Sequence, residues 1–105
     1  MINRYPRFLY LSTALALLAA SGAADAQNAD NGRHLSERWC AECHAIGPAP
    51  DKSKAQSFAT IAAKPTVTAD MIASFLRLPH ATMPNVPLTR SDARDIAAFI
   101  VGMKK

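Results

Sequence analysis

With two cysteines among 105 residues, the chain can close one internal disulfide at most, so it is not a disulfide-stapled scaffold. It has no run of consecutive basic residues with interleaved aromatics, which argues against nucleic acid as a partner. It has no internal repeat and no low-complexity tract. No stretch alternates apolar and polar residues with the period of two that a half-buried strand requires. A chain this short forms one domain. The charge imbalance is also small: 12 Lys and Arg against 8 Asp and Glu give a formal +4. Such a mildly positive surface suits steering toward acidic protein patches.

The first 26 residues stand apart from the rest. Arg4 and Arg7 form a basic start, and an apolar run from Phe8 to Ala20 follows, interrupted by Ser12 and Thr13. Ala24 and Ala26 then supply small residues at the spacing of a signal-peptidase site. The run falls short of the about 20 apolar residues that a spanning helix needs. Residues 1–26 are therefore expected to be a cleavable Sec-type signal peptide, cut after Ala26, with Ala24 as the alternative. Residues 27–105 would be released to the periplasm with no stable membrane insertion. Losing Arg4, Arg7 and Asp25 leaves them a formal +3. A domain of that length is near the size at which a hydrophobic core alone is marginal, and something besides side chains is expected to fill it.

Helical periodicity runs through residues 27–105. Gly32, Leu35, Ser36 and Trp39 share one face of a first helix. A second covers residues 56–64, with Phe58, Ile61 and Ala62 inward, and Pro65 ends it. Thr68 caps a third, Asp70 sits in its first turn, and Ala69, Ile72, Ala73 and Leu76 form its stripe, with Pro79 as the stop. Residues 79–88 carry Pro79, Pro84 and Pro87 and form a stiff, extended loop. The last helix starts at Thr89 or Ser91 and repeats Ala93, Ile96, Ala97, Ile100 and Met103 at helical spacing, with Phe99 beside them. The fold class is all-α.

The sequence Cys40-Ala41-Glu42-Cys43-His44 has the C-x-x-C-H spacing of covalent haem attachment. On a helical turn, positions 40, 43 and 44 lie on one side. Two thiols so placed reach the vinyl groups of one porphyrin, and the following imidazole reaches its iron. Other chemistries fit less well. A thioredoxin-like dithiol wants a βαβ setting. A zinc site needs four ligands, with another histidine joining these three. A plain disulfide leaves the histidine after the second cysteine unexplained. The expected cofactor is one covalently bound haem c, held by Cys40 and Cys43, with His44 as proximal ligand.

His34, Met71, His80, Met83 and Met103 are the candidates for the opposite face of the iron. Met71 and Met103 read as helical core filler, and His34, beside Arg33, as solvated. Met83 lies in the proline-bounded loop His80-Ala81-Thr82-Met83-Pro84, where a stiff backbone would hold a thioether in place. A soft sulfur suits haem iron, and Met/His ligation raises the potential. Met83 is the expected distal ligand. His80 is the runner-up and would give a bis-histidine site.

In these features the chain resembles the class I c-type cytochromes, the small bacterial relatives of mitochondrial cytochrome c. The resemblance spans residues 28–103 and rests on the Cys40–His44 motif, on Met83-Pro84 and on the terminal amphipathic helix. It implies three to five short helices wrapped around the haem, with N- and C-terminal helices crossing where a glycine meets an aromatic, here Gly32 and Phe99. It also implies that a proline carbonyl, from Pro48 or Pro50, orients His44. Trp39 is expected in the core; the alternative is that it packs on the haem or bonds a propionate through its indole N–H.

Two strong axial ligands leave no open position on the metal, which marks an electron carrier rather than an enzyme. The expected role is a monomeric periplasmic shuttle between a dehydrogenase or cytochrome complex and an acceptor such as a terminal oxidase. The alternatives are a haem c subunit of a larger oxidoreductase, or a ligand sensor if Met83 does not bind iron. A peroxidase-like enzyme is less supported, because no distal Arg/His pair is evident.

Overall fold

The computed structural model describes residues 27–52, 54–78 and 82–105. The signal-peptide reading of residues 1–26 and the runner-up ligand His80 lie outside these. The described residues form four helices and no strand: α1 (Ala29–Trp39), α2 (Phe58–Ala63), α3 (Ala69–Leu76) and α4 (Arg90–Val101).

Each helix starts at a side chain that accepts from an otherwise orphaned backbone N–H. Asn28, Ser57, Thr68 and Thr89 cap α1 to α4 in turn. Thr89 completes a capping box: its hydroxyl accepts from Asp92 N at 3.0 Å, and the Asp92 carboxylate accepts from Thr89 N at 3.1 Å. That settles the start of α4 at Thr89 rather than Ser91. Helix α2 is shorter than its periodicity suggested, because Ser57 caps it and the chain turns extended at Lys64, just before Pro65.

Helix α4 is the element on which α1 and α3 pack most extensively, with α2 adding a smaller contact. Its expected stripe is buried: Ala93, Ile96, Ala97 and Ile100 are at most 3 % exposed. Removing a side chain the size of Ile96 from water stabilises by about 1.5–3 kcal/mol. Yet among the described residues four of the eight buried apolar ones are alanines: Ala45, Ala62, Ala93 and Ala97. The side-chain core is correspondingly thin.

Helices α1 and α4 meet at Gly32. A Cβ there would overlap the Asp95 carbonyl oxygen and lie 2.9 Å from Ile96 N, so only glycine lets the two backbones come this close. A side chain at Gly32 would first strike backbone groups of Asp95 and Ile96, one turn before Phe99. The Phe99 ring packs against that of Phe58, with centroids 6.2 Å apart and planes inclined by 67°. The crossing is fastened by the buried Asp95, whose carboxylate accepts from Asn28 N and Asn31 Nδ2, both at 2.8 Å. Beneath it the buried Ser36 hydroxyl donates to Gly32 O at 2.7 Å.

Gly32→Ala is expected to destabilise the protein by about 3 kcal/mol, the upper part of the usual overpacking range, because two backbones rather than a flexible side chain must move apart. Chemical denaturation of wild type and variant checks this; a loss below about 0.5 kcal/mol would contradict the described contact.

Candidate haem site

Helix α1 does not simply stop at Trp39. Cys40 N and Ala41 N both donate to Ser36 O, and Cys43 N and His44 N both donate to Cys40 O, at 3.2 and 2.9 Å. The motif is thus wound as one further turn, which brings Cys40, Cys43 and His44 together by local geometry alone. Lys52 fastens the turn by donating to Ala41 O at 2.5 Å.

That turn forms part of a cleft of 1170 Å³ whose walls come from α2, α3, α4 and the segment around Met83. The volume exceeds the about 300–1,000 Å³ of common small-molecule sites. Cys40, Cys43, His44 and Met83 all line it. So do the large apolar side chains that stand exposed among the described residues: Trp39 (40 %), Met71 (54 %), Phe75 (52 %) and Leu78 (59 %). Apolar surface gathered in one place marks a site for a partner or ligand. Here it lies beside a thin core, as expected where a bulky apolar group completes the interior.

Cys40 and Cys43 are free thiols rather than a disulfide. Burial pushes the Cys40 thiol up from its ordinary value, with the neighbouring Ser36 hydroxyl acting in the opposite direction. Among the described residues no group of three or more His, Cys, Asp and Glu side chains is arranged to hold a metal ion by itself.

The His44 ring is fixed by a bond that differs from the expected one. Its Nδ1 lies 2.5 Å from the Gln56 carbonyl oxygen, so neither Pro48 nor Pro50 orients it; the turn before α2 reaches the ring first. A carbonyl can only accept, so Nδ1 carries the proton and Nε2 keeps its lone pair for a metal. The ring also lies 5.4 Å from that of Phe58, tilted by 44°. The Gln56–Ser57 peptide is held in turn from its other side. Asp51 Oδ1 accepts from Ser57 N and from Thr60 Oγ1, both at 2.7 Å.

Two further expectations change. Met71, read as core filler, lines the cleft because the side of α3 that carries it faces the cleft rather than α4. Trp39 also lines the cleft, which is its alternative placement rather than the core, with the Arg38 guanidinium 5.1 Å above its ring. Met103 does pack against the core, and His34 is exposed beside Glu37. No sequence signal marked Gln56, since every residue carries a carbonyl. Asp51 was hidden in a proline-flanked loop, although Ser57 and Thr60 at helix-start spacing hinted at a cap.

A cleft of this size, apolar in its walls and bearing two thiols and an imidazole on one turn, fits a large flat cofactor fastened through sulfur. Cytochrome c-552 of Bradyrhizobium diazoefficiens is 40 % identical to the chain over 92 residues, covering 86 % of the chain and 88 % of that protein. No protein-family model matches the chain, and no solved structure matches it significantly. The chain belongs to the small c-type cytochromes, electron-transfer proteins that hold haem c covalently.

The Ser57 amide and the Thr60 hydroxyl hold the Asp51 carboxyl below its ordinary value. A depressed folded value means that Asp51 adds stability above the ordinary carboxylate range, and that this is lost as pH falls through the lowered value. Wild type is therefore expected to lose its margin over Asp51→Ala as the pH is taken from 7 into the acid range. Denaturation midpoints of both proteins against pH check this; a margin independent of pH would contradict it.

Proposed function

We propose that residues 27–105, once residues 1–26 have been cleaved, act as a monomeric periplasmic electron shuttle with a single haem c. In this reading Cys40 and Cys43 form the two thioethers, and His44 and Met83 hold the iron from opposite faces. The observation that carries the proposal is the convergence of these four side chains on one apolar cleft, with His44 Nδ1 committed to Gln56 O.

Bound there, haem supplies a one-electron ferric/ferrous couple. The chain's own residues then do the rest. The two cysteines keep the cofactor attached through every cycle. The Gln56 carbonyl fixes the imidazole, so Nε2 does not have to reorient when the charge changes. Met83 is half-buried just before Pro84, and proline restricts the residue that precedes it. Apolar walls exclude water and disfavour added positive charge, which raises the potential. Were His44 and Met83 both to hold the iron, small ligands would find no place to bind. Met71 offers a second thioether in the same cleft, but it is 54 % exposed on α3, and Met83 is the better-held donor. The donors and acceptors suited to such a protein are a dehydrogenase or cytochrome complex on one side and a terminal oxidase on the other. Nucleic acid has no role.

In cells able to mature c-type cytochromes, the product is expected to have the mass of residues 27–105 plus one haem. Met83→Ala should lose the near-infrared methionine-to-iron charge-transfer band and, once reduced, should bind carbon monoxide. Met71→Ala should do neither. A wild type that binds carbon monoxide readily when reduced, or a Met83→Ala protein with an unchanged spectrum, would refute the ligand assignment.

A further inference from the structure

The Gln56–Ser57 peptide is gripped at both of its polar ends. Its carbonyl accepts from His44 Nδ1 at 2.5 Å, and its N–H donates to Asp51 Oδ1 at 2.7 Å. The hydroxyls of Ser57 and Thr60 link it to Asp51 by a second route. Thr60 N donates to Ser57 Oγ, and the Ser57 hydroxyl donates to Thr60 Oγ1, each at 3.0 Å. The Thr60 hydroxyl donates to Asp51 Oδ1, 2.7 Å away. Asp51 Oδ1 thus accepts two bonds. The depressed Asp51 value agrees with that. The Gln56 side chain is tied separately, accepting at Oε1 from Lys64 Nζ at 2.7 Å. The peptide thus forms a bridge from a carboxylate to an imidazole across one amide group.

We propose that Asp51 is a positioning residue for the proximal ligand, acting through the Gln56–Ser57 peptide to hold and strengthen the acceptor on His44 Nδ1 and so to lower the redox potential of the protein. The inference rests on His44 being the proximal ligand. A charge-assisted bond at the amide N–H polarises the peptide and makes its carbonyl a better acceptor. A better acceptor draws the Nδ1 proton and leaves the imidazole richer in electrons at Nε2. Such a ligand favours ferric over ferrous iron. Asp51 is solvent-exposed, so its bare field on the metal is screened by water and salt. The bonded path is screened far less, because each link is a direct contact.

The test compares holoproteins carrying Asp51→Asn, which keeps an oxygen acceptor without the charge, and Asp51→Ala, which removes both. Asp30→Asn, on the exposed first turn of α1, serves as the charge control. The readouts are the midpoint potential and the His44 Nδ1–H proton resonance of the reduced protein. Asp51→Asn is expected to shift the ferrous-to-ferric ratio at a fixed potential toward ferrous by about threefold, about 28 mV at 59 mV per tenfold. The Nδ1–H resonance should move in the direction of a weaker hydrogen bond. Asp51→Ala should do at least as much, and Asp30→Asn should do neither. Both changes should persist in about 1 M salt, where the Debye length is about 3 Å.

A potential and resonance unchanged in both Asp51 variants would overturn the proposal, as would a shift that disappears in high salt. If Asp51→Ala does not mature, Asp51→Asn alone decides. A wild-type protein whose His44 is not bound to iron overturns the ligand assignment and this inference together. A bound His44 with indifferent variants overturns only the role of Asp51. Loss of Met83 as a ligand leaves the His44 readout intact.

Discussion

The close approach of α1 to α4 at Gly32 sets where the rest of the chain can go. Two backbones meet there without an intervening side chain, and the buried Asp95 carboxylate holds the start of α1 against the middle of α4. Burying a carboxylate is costly unless its oxygens are satisfied; here one donor is a helix-cap backbone N–H and the other a side-chain amide, so the oxygens are met and the register of α1 is fixed. Because the turn of Cys40, Cys43 and His44 continues directly from α1, fixing that register also fixes where both thiols and the imidazole lie. Stability and site geometry therefore depend on the same crossing.

The thinness of the core follows from how the molecule spends its apolar residues. Small alanines let α1, α2 and α4 come together, and several of the larger apolar groups line the cleft instead. A chain of this length cannot afford both a large self-contained core and an open cleft. The economical arrangement is a cleft whose occupant is part of the interior, and this is why the fold of a small c-type cytochrome and its cofactor belong together.

How the proximal side is held departs from the expectation drawn from family likeness, in which a proline carbonyl orients the histidine. The carbonyl here is that of Gln56, and its peptide is gripped on the far side by Asp51, which also braces the start of α2 through Thr60. A short helix of six residues has little stability of its own. Bracing its cap is what allows that peptide to serve as a fixed acceptor, so a feature that looks like ordinary capping also sets the direction of the imidazole.

The sequence by itself determined the four helices, the cap at Thr68, the start of α4 to within Thr89 or Ser91, the buried stripe of α4 and the turn chemistry of Cys40, Cys43 and His44. These depend on neighbours three or four residues apart, and such spacings are visible along the chain. It could not determine which carbonyl would meet His44, nor that Met71 and Trp39 would line the cleft rather than the core. Backbone carbonyls look alike in every residue, and whether an apolar side chain meets the core or the cleft depends on how α1 and α3 are rotated against α4. Only the packing of helices distant in sequence decides that rotation, and with it the pairing of Asp51, the Gln56–Ser57 peptide and His44.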